Sequence, residues 1–356
     1  MSVQSQHLTF GGRICSRAAR MALAVVAAAC ILTTPIALGD QIFDNDGNDG
    51  LWTTVNNWSS DATLPTAERA EIYLEDQTNA LPMVNGIPTV TLNSGTQSPS
   101  DFRYGVGSDT DLGDLQLLIS GGTLNLTADS LVGNGGDDPN IVNSTAYLTQ
   151  IGGDIVITGG SGVDIKLGNS GTQYGPGAVY SISGGSLMSE GTINPGSNNT
   201  TSGPLKFQID GSGATAIQIE DFKTESGTVA DVFFSVILDA GGVTPLVVND
   251  DFQMENVQFM LALSAVPPAG DIVLARADRL SNDNQFVGHP DGSDVSAVFG
   301  PYTYTWTINY FDSSSDGNII DAIVLSNLRV IPEPASLALL GIGGVAFAGF
   351  AMRRRR

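Results

Sequence analysis

Beyond residue 39 the chain contains no cysteine, since Cys15 and Cys30 both fall before that point. A disulfide framework, a thiol nucleophile and a cysteine-ligated metal are therefore excluded for everything downstream. Histidine is almost as scarce. Only His289, within Gly288-His289-Pro290-Asp291-Gly292, lies past the first few residues. Zinc sites built from histidine or cysteine are ruled out by count. A Ser-His-Asp triad would have to use His289, and no nucleophile-elbow motif accompanies it. Basic side chains are the third shortage. All 37 acids lie between Asp40 and Glu333, where the only bases are Arg69, Arg103, Lys166, Lys206, Lys223, Arg276, Arg279 and Arg329, for a net of −29. Such a surface repels nucleic acid and, unless cations intervene, anionic membrane or glycan. A 3.6-residue apolar period is missing as well: no dozen residues after Asp40 carry one, while turn residues and β-branched residues are frequent. The body therefore reads as all-β.

The two ends differ in composition from this body. Residues 1–39 have no acid; Arg13, Arg17 and Arg20 precede an apolar run from Met21 to Leu32, and Ala37-Leu38-Gly39 supplies small residues before Asp40. This is the pattern of a secretory signal peptide cleaved after Gly39. At the other end, Ile331-Pro332-Glu333-Pro334 leads into an uncharged stretch from Ala335 through Leu337 to Met352, then Arg353, Arg354, Arg355 and Arg356. As a helix that stretch would be about 27 Å long, close to the hydrocarbon thickness of a bilayer. Terminal arginines resist translocation and would hold their end in the cytoplasm. A C-terminal transmembrane anchor is expected, with the body on the far side.

Pro-Glu-Pro, an apolar helix and a basic cluster, in that order at the extreme C-terminus, resemble the PEP-CTERM sorting signal of Gram-negative exopolysaccharide-forming bacteria. Ile331 stands where that family usually has valine. The resemblance covers about 26 residues and implies sorting by an exosortase that cuts near Pro332-Glu333-Pro334, after export by the secretion machinery and signal peptidase.

Within the body, Asp44-Asn45-Asp46-Gly47-Asn48-Asp49-Gly50 invites a calcium reading, but fails as an EF-hand loop because Asp49 stands at the glycine position and Val55 at the bidentate one. A looser site at Asp44, Asp46 and Asn48 is the one metal alternative to a plain turn; no other cofactor is expected. Trp52 and Trp58, six apart, are read as sharing one strand face and capping an open core end, with sugar stacking as the alternative. Then repeats emerge. Gly-Gly pairs at 121–122, 152–153 and 184–185 sit in Ile-Ser-Gly-Gly-Thr-Leu, Gln-Ile-Gly-Gly-Asp-Ile and Ile-Ser-Gly-Gly-Ser-Leu, spaced by 31 and 32 residues. A second marker falls between them at Val106-Gly107-Ser108, Val132-Gly133-Asn134-Gly135 and Leu167-Gly168-Asn169. A fixed period with one apolar face per strand and glycine at the corners predicts stacked coils. These repeats, and the opening Trp…Asn-Trp-Ser, resemble autotransporter-like and PEP-CTERM passenger domains.

The expected organisation is a signal peptide (1–39), an N-terminal cap (40–84), a right-handed β-solenoid or β-helix (85–203), a further β region (204–331) and the sorting tail (332–356). Residues 204–331 are left open between a sandwich and an irregular continuation of the solenoid. There Asp231–Asp239 reads as a strand buried on both faces, and Tyr302, Tyr304 and Trp306 form an aromatic stripe, a sheet-packing face or a carbohydrate platform. The function expected is that of an exported, non-enzymatic surface or matrix protein associated with exopolysaccharide. A carbohydrate-binding module or adhesin is the alternative, and a polysaccharide lyase or hydrolase on a β-helix the further one. For a lyase, Lys166 is the only lysine of the repeat region that could serve as base.

Overall fold

The computed structural model describes residues 40–332 except 60–63, 67, 74–75, 106–112, 135–142, 161, 169–173, 197–200, 225–230, 255, 281–284 and 312–320. The signal peptide, Glu333, Pro334 and the expected transmembrane helix lie outside the described residues. Among the described residues no helix is long and apolar enough to cross a membrane, and the one helical element is the 3-10 turn Val55–Asn57. The rest is strand and turn, as expected.

Each coil contributes short alternating strands to three parallel ladders, making a β-solenoid of about seven turns. Sheet A is formed by Ile87–Leu92, Leu115–Ile119, the first halves of Thr145–Ile157 and Gly177–Ser189, then Leu205–Asp210, Val232–Leu238 and Val257–Leu263. Sheet B runs from Thr96–Gln97 through Thr123–Leu126, the second halves of the same two long strands and Ala214–Ile219, to Leu246–Phe252 and Ile272–Leu280. Sheet C begins earlier, with Gln41–Ile42 and Ala70–Tyr73, and continues through Phe102–Gly105, Ser130–Asn134, Ile165–Leu167 and Thr192–Pro195 to Asp221–Phe222. Side chains alternate across each strand, so the inward set stacks in register along the axis. In sheet A the column Val90, Leu117, Leu148, Tyr180, Phe207, Phe234, Phe259 is buried throughout.

The Gly-Gly pairs are the corners between sheets A and B. Gly122, Gly153 and Gly185 have φ of +74°, +65° and +72°. A Cβ on Gly152 would lie 2.6 Å from the Ser120 carbonyl oxygen, and one on Gly184 2.3 Å from that of Ile151. The corner of one coil thus rests on the backbone of the previous one, and only glycine permits both the turn and the approach.

Residues after 204 extend the same parallel ladders as far as Leu280. The strand Val232–Leu238 is an ordinary rung of sheet A: Val232, Phe234, Val236 and Leu238 face the core, while Phe233 and Ile237 on the outer face are half-buried. Ser235, between them on that face, is buried, so the expectation of burial on both faces holds at the centre of the strand and not at Phe233 and Ile237. The coil then ends in an antiparallel cap, Ile272–Leu280 pairing with Asp321–Pro332, that strand with Tyr302–Phe311, and that in turn with Asp294–Phe299. The last strand runs on to Pro332, paired with Tyr302, so the first residue of Pro-Glu-Pro belongs to the folded body.

Candidate functional site

At the N-terminal end, Trp52 and Trp58 flank the 3-10 turn and do not share a strand, which corrects that part of the reading. Both are fully buried, with centroids 5.0 Å apart in an edge arrangement, and Phe43 packs at right angles on Trp58. The Trp58 indole N–H donates to the Trp52 carbonyl at 2.8 Å. Neither ring has a face open to solvent, so the pair covers the end of the core and has no surface on which a sugar could stack.

The Asp/Asn-rich segment ahead of them is a turn held by its own side chains. Asn45, buried at φ +58°, donates from its amide to the carbonyls of Asn79 and Ala80 and accepts from the Gly50 amide. Asp44 Oδ1 accepts the Asp46 amide. The working carboxylate is Asp49, which takes the Leu51 amide, the Thr54 hydroxyl and the Asn57 amide. Burial alone would raise its pKa, but these donors outweigh burial and leave it lowered. Asn48 also adopts φ +57°. Among the described residues no three His, Cys, Asp or Glu side chains gather closely enough to hold a metal ion.

The aromatic stripe divides. Tyr304 and Trp306 are buried, stacked 6.2 Å apart, and close the C-terminal end of the core. Tyr302 is 41 % exposed. One ring on the cap edge is not a platform. His289 lies on a cap loop, edge-on to Phe259, with its pKa lowered by burial. Lys166 donates to Asp129 at 2.8 Å. Beside this pair Asp164 is pushed up, first by burial and then by the Asp129 charge.

Sequence reasoning missed two features. The first is a pair of buried carboxylates at the end of sheet C, Asp221 and Asp251. Asp221 accepts the Thr192 hydroxyl, the Asp251 amide at 3.1 Å and the Lys223 ammonium at 3.1 Å, and Asp251 lies 3.3 Å from Arg279. Paired and hydrogen-bonded in this way, the acids fasten consecutive coils. The second is a cleft of about 350 Å³ on the outer face of sheet A. It arises from side-chain size. The outward residues of three consecutive rungs register as Thr145, Tyr147, Thr149 against Gly177, Val179, Ser181, and these against Pro204, Lys206, Gln208. Small residues form the middle rung and large ones flank it, leaving a trough. Rungs two apart are separated by about 9.5 Å, so Tyr147 forms one wall and Lys206 the other. Thr149, Ser181 and Gln208 line one end, Gln208 donating to Ser181 at 3.3 Å. The stacking of Tyr147 on Val179 follows from the Gly-Gly repeat, but that of Lys206 on Val179 does not, because the third rung lies past the last Gly-Gly pair and at a shorter spacing.

A model of the PEP-CTERM protein-sorting motif matches residues 330–356. No curated protein and no solved structure matches the chain. The match begins at Val330, inside the last strand, and it marks the chain as an exported protein that is held in the membrane by its tail and processed by an exosortase.

Proposed function

We propose that the protein is a non-enzymatic structural component of the cell surface or extracellular matrix, released into the exopolysaccharide of a Gram-negative bacterium by cleavage near Pro332-Glu333-Pro334. The observation that carries this reading is the continuity between body and signal: the sorting motif starts within the strand that closes the β-solenoid. No linker intervenes between the folded coil and the motif. The non-enzymatic reading is supported by how the candidate groups are employed. Lys166 is bound to Asp129, and the buried acids Asp221 and Asp251 lie against Lys223 and Arg279. A stacked coil with glycine corners and closed ends suits an autotransporter-like passenger that presents a long, inert surface.

The test is the intact mass and cellular fraction of the native protein from its own host. The expected species starts at Asp40, ends between Pro332 and Ala335, and is found outside the inner membrane. A species still carrying Arg353–Arg356 in the inner membrane would overturn release.

A further inference from the structure

We infer that the trough on sheet A binds a mainly neutral glycan through a single carboxylated sugar; this rests on the proposed placement of the protein among extracellular polysaccharide. The argument begins with Lys206. Arg69, Lys166, Lys223, Arg279 and Arg329 each have a carboxylate within ion-pair distance. Arg103, which registers beside Glu71, the exposed Arg276 and Lys206 have none among the described residues, although the body carries a net −29. Of these three, Lys206 alone lines the cleft, half-buried on its wall and registered across Val179 from Tyr147. An unneutralised cation on a cleft wall in so acidic a protein selects a negative group there.

The remaining lining specifies what carries the charge. Tyr147 brings an aromatic side chain to the wall opposite the cation, and Val179 lies on the floor between them. Thr145, Thr149, Ser181 and Gln208 supply hydroxyl and amide groups; Thr149 accepts from Gln116 and Ser181 from Gln208, which leaves both hydroxyls free to donate. An apolar floor, one ring and several hydrogen-bonding groups match a pyranose, whose faces are C–H and whose edge is hydroxyl. At about 9.5 Å between its flanking backbones, the trough admits one chain lying along the strands. The overall charge sets the density of carboxylates. A polymer charged at every residue is repelled by the body, whereas a neutral chain with an isolated uronate places its one carboxylate on Lys206. Peptide and nucleic acid fit less well, since nothing in the trough presents a free strand edge and the charge opposes phosphate.

The experiment uses the full chain in detergent micelles, titrated calorimetrically with oligosaccharides of several backbone linkages. Each carries one uronate and is paired with its carboxyl-reduced counterpart; an oligogalacturonate and oligoglutamate of equal length are included. At least one mono-uronate probe is expected to bind about tenfold or more tightly than its reduced counterpart, the worth of a charge-assisted hydrogen bond. The oligogalacturonate and oligoglutamate should bind more weakly. Lys206→Met should erase the preference for the carboxylate while leaving residual binding, and Val179→Phe, which fills the floor without touching the charge, should abolish both. Thermal midpoints of the variants report whether each has folded. The inference is overturned if no mono-uronate probe binds at millimolar concentration, if folded Lys206→Met keeps the preference, or if oligoglutamate binds as well. Those outcomes leave the mass and fraction of the mature protein unchanged, so failure here is distinct from failure of the sorting assignment.

Discussion

Single residues carry the local logic of this coil, and Asp239 illustrates it. Its carboxylate accepts the Ser212 amide at 2.9 Å, the Ser212 hydroxyl at 3.0 Å and the Gly241 amide at 2.7 Å, tying one corner to the next. Burial by itself would raise its pKa, but these donors, with the Gly242 amide, leave it below its ordinary value. A depressed folded value means that the stabilisation is complete above the unfolded pKa and disappears as pH falls through the folded one. Asp210 is shifted the other way, first by burial and then by the Asp239 charge, so it costs stability at neutral pH and recovers it on acidification. Asp239→Asn is therefore expected to lower stability at pH 7 by about 1 kcal/mol, below the roughly 1.5–3 kcal/mol of hydrogen bonds to a buried charge because this carboxylate is largely exposed to solvent. It should also flatten the loss of stability at acid pH, as read from urea midpoints at a series of pH values. An unchanged acid limb would show that other carboxylates govern it. Sequence reading reached the Gly-Gly corners because the repeat is literal there. It did not reach the Asp239–Ser212 clasp, in which the two residues are 27 apart and share no motif.

The sheet A column shows why strands were easier to recognise than their partners. Registered residues are separated by 27 positions from Val90 to Leu117, 31 to Leu148, 32 to Tyr180, 27 to Phe207, 27 to Phe234 and 25 to Phe259. The middle intervals produced the visible Gly-Gly period. Past Tyr180 the coils shorten, the corner changes from Gly-Gly to Gly211-Ser212-Gly213, and the continuity passes to aromatic rings with no fixed neighbours. Phe234 is the hub of that region. Its ring lies 6.3 Å from Phe207, 5.6 Å from Phe252 and 5.6 Å from Phe286, nearly parallel to the last. Phe234→Ala removes the centre of this stack and is expected to cost about 3–5 kcal/mol. Each coil touches only its neighbours, so the loss should be local. Hydrogen exchange should accelerate in Leu205–Asp210, Val232–Leu238 and Val257–Leu263 and stay slow in Leu115–Ile119. Uniform acceleration would mean that the coils unfold as one unit.

Over the whole molecule the acidic balance and the closed ends act together. An open solenoid would present a strand edge to a second copy. Here the buried Trp52 and Trp58 cover the N-terminal end of the core, and the antiparallel strands from Asp294 to Pro332 cover the C-terminal end. A net of −29 adds repulsion between copies and within the coil. Raising salt from 0.01 to 0.15 M shortens the screening length from about 30 to 8 Å. That relieves long-range repulsion and also weakens pairs such as Arg69–Asp101 and Arg329–Asp294. Exposed pairs contribute at most about 1 kcal/mol each, and few of them face a large uniform charge, so the repulsion outweighs them. The thermal midpoint is expected to rise by a few degrees over that range, on the scale of about 2–4 °C per kcal/mol for a large domain. A fall would place the ion pairs in control. The carboxylate preference of the sheet A trough should move oppositely, since it depends on one attraction at Lys206 that salt screens. If the fold strengthens while that preference shrinks, the general acidity and Lys206, which has no carboxylate partner among the described residues, have separate roles, one keeping the coil apart from its copies and the other choosing what it holds.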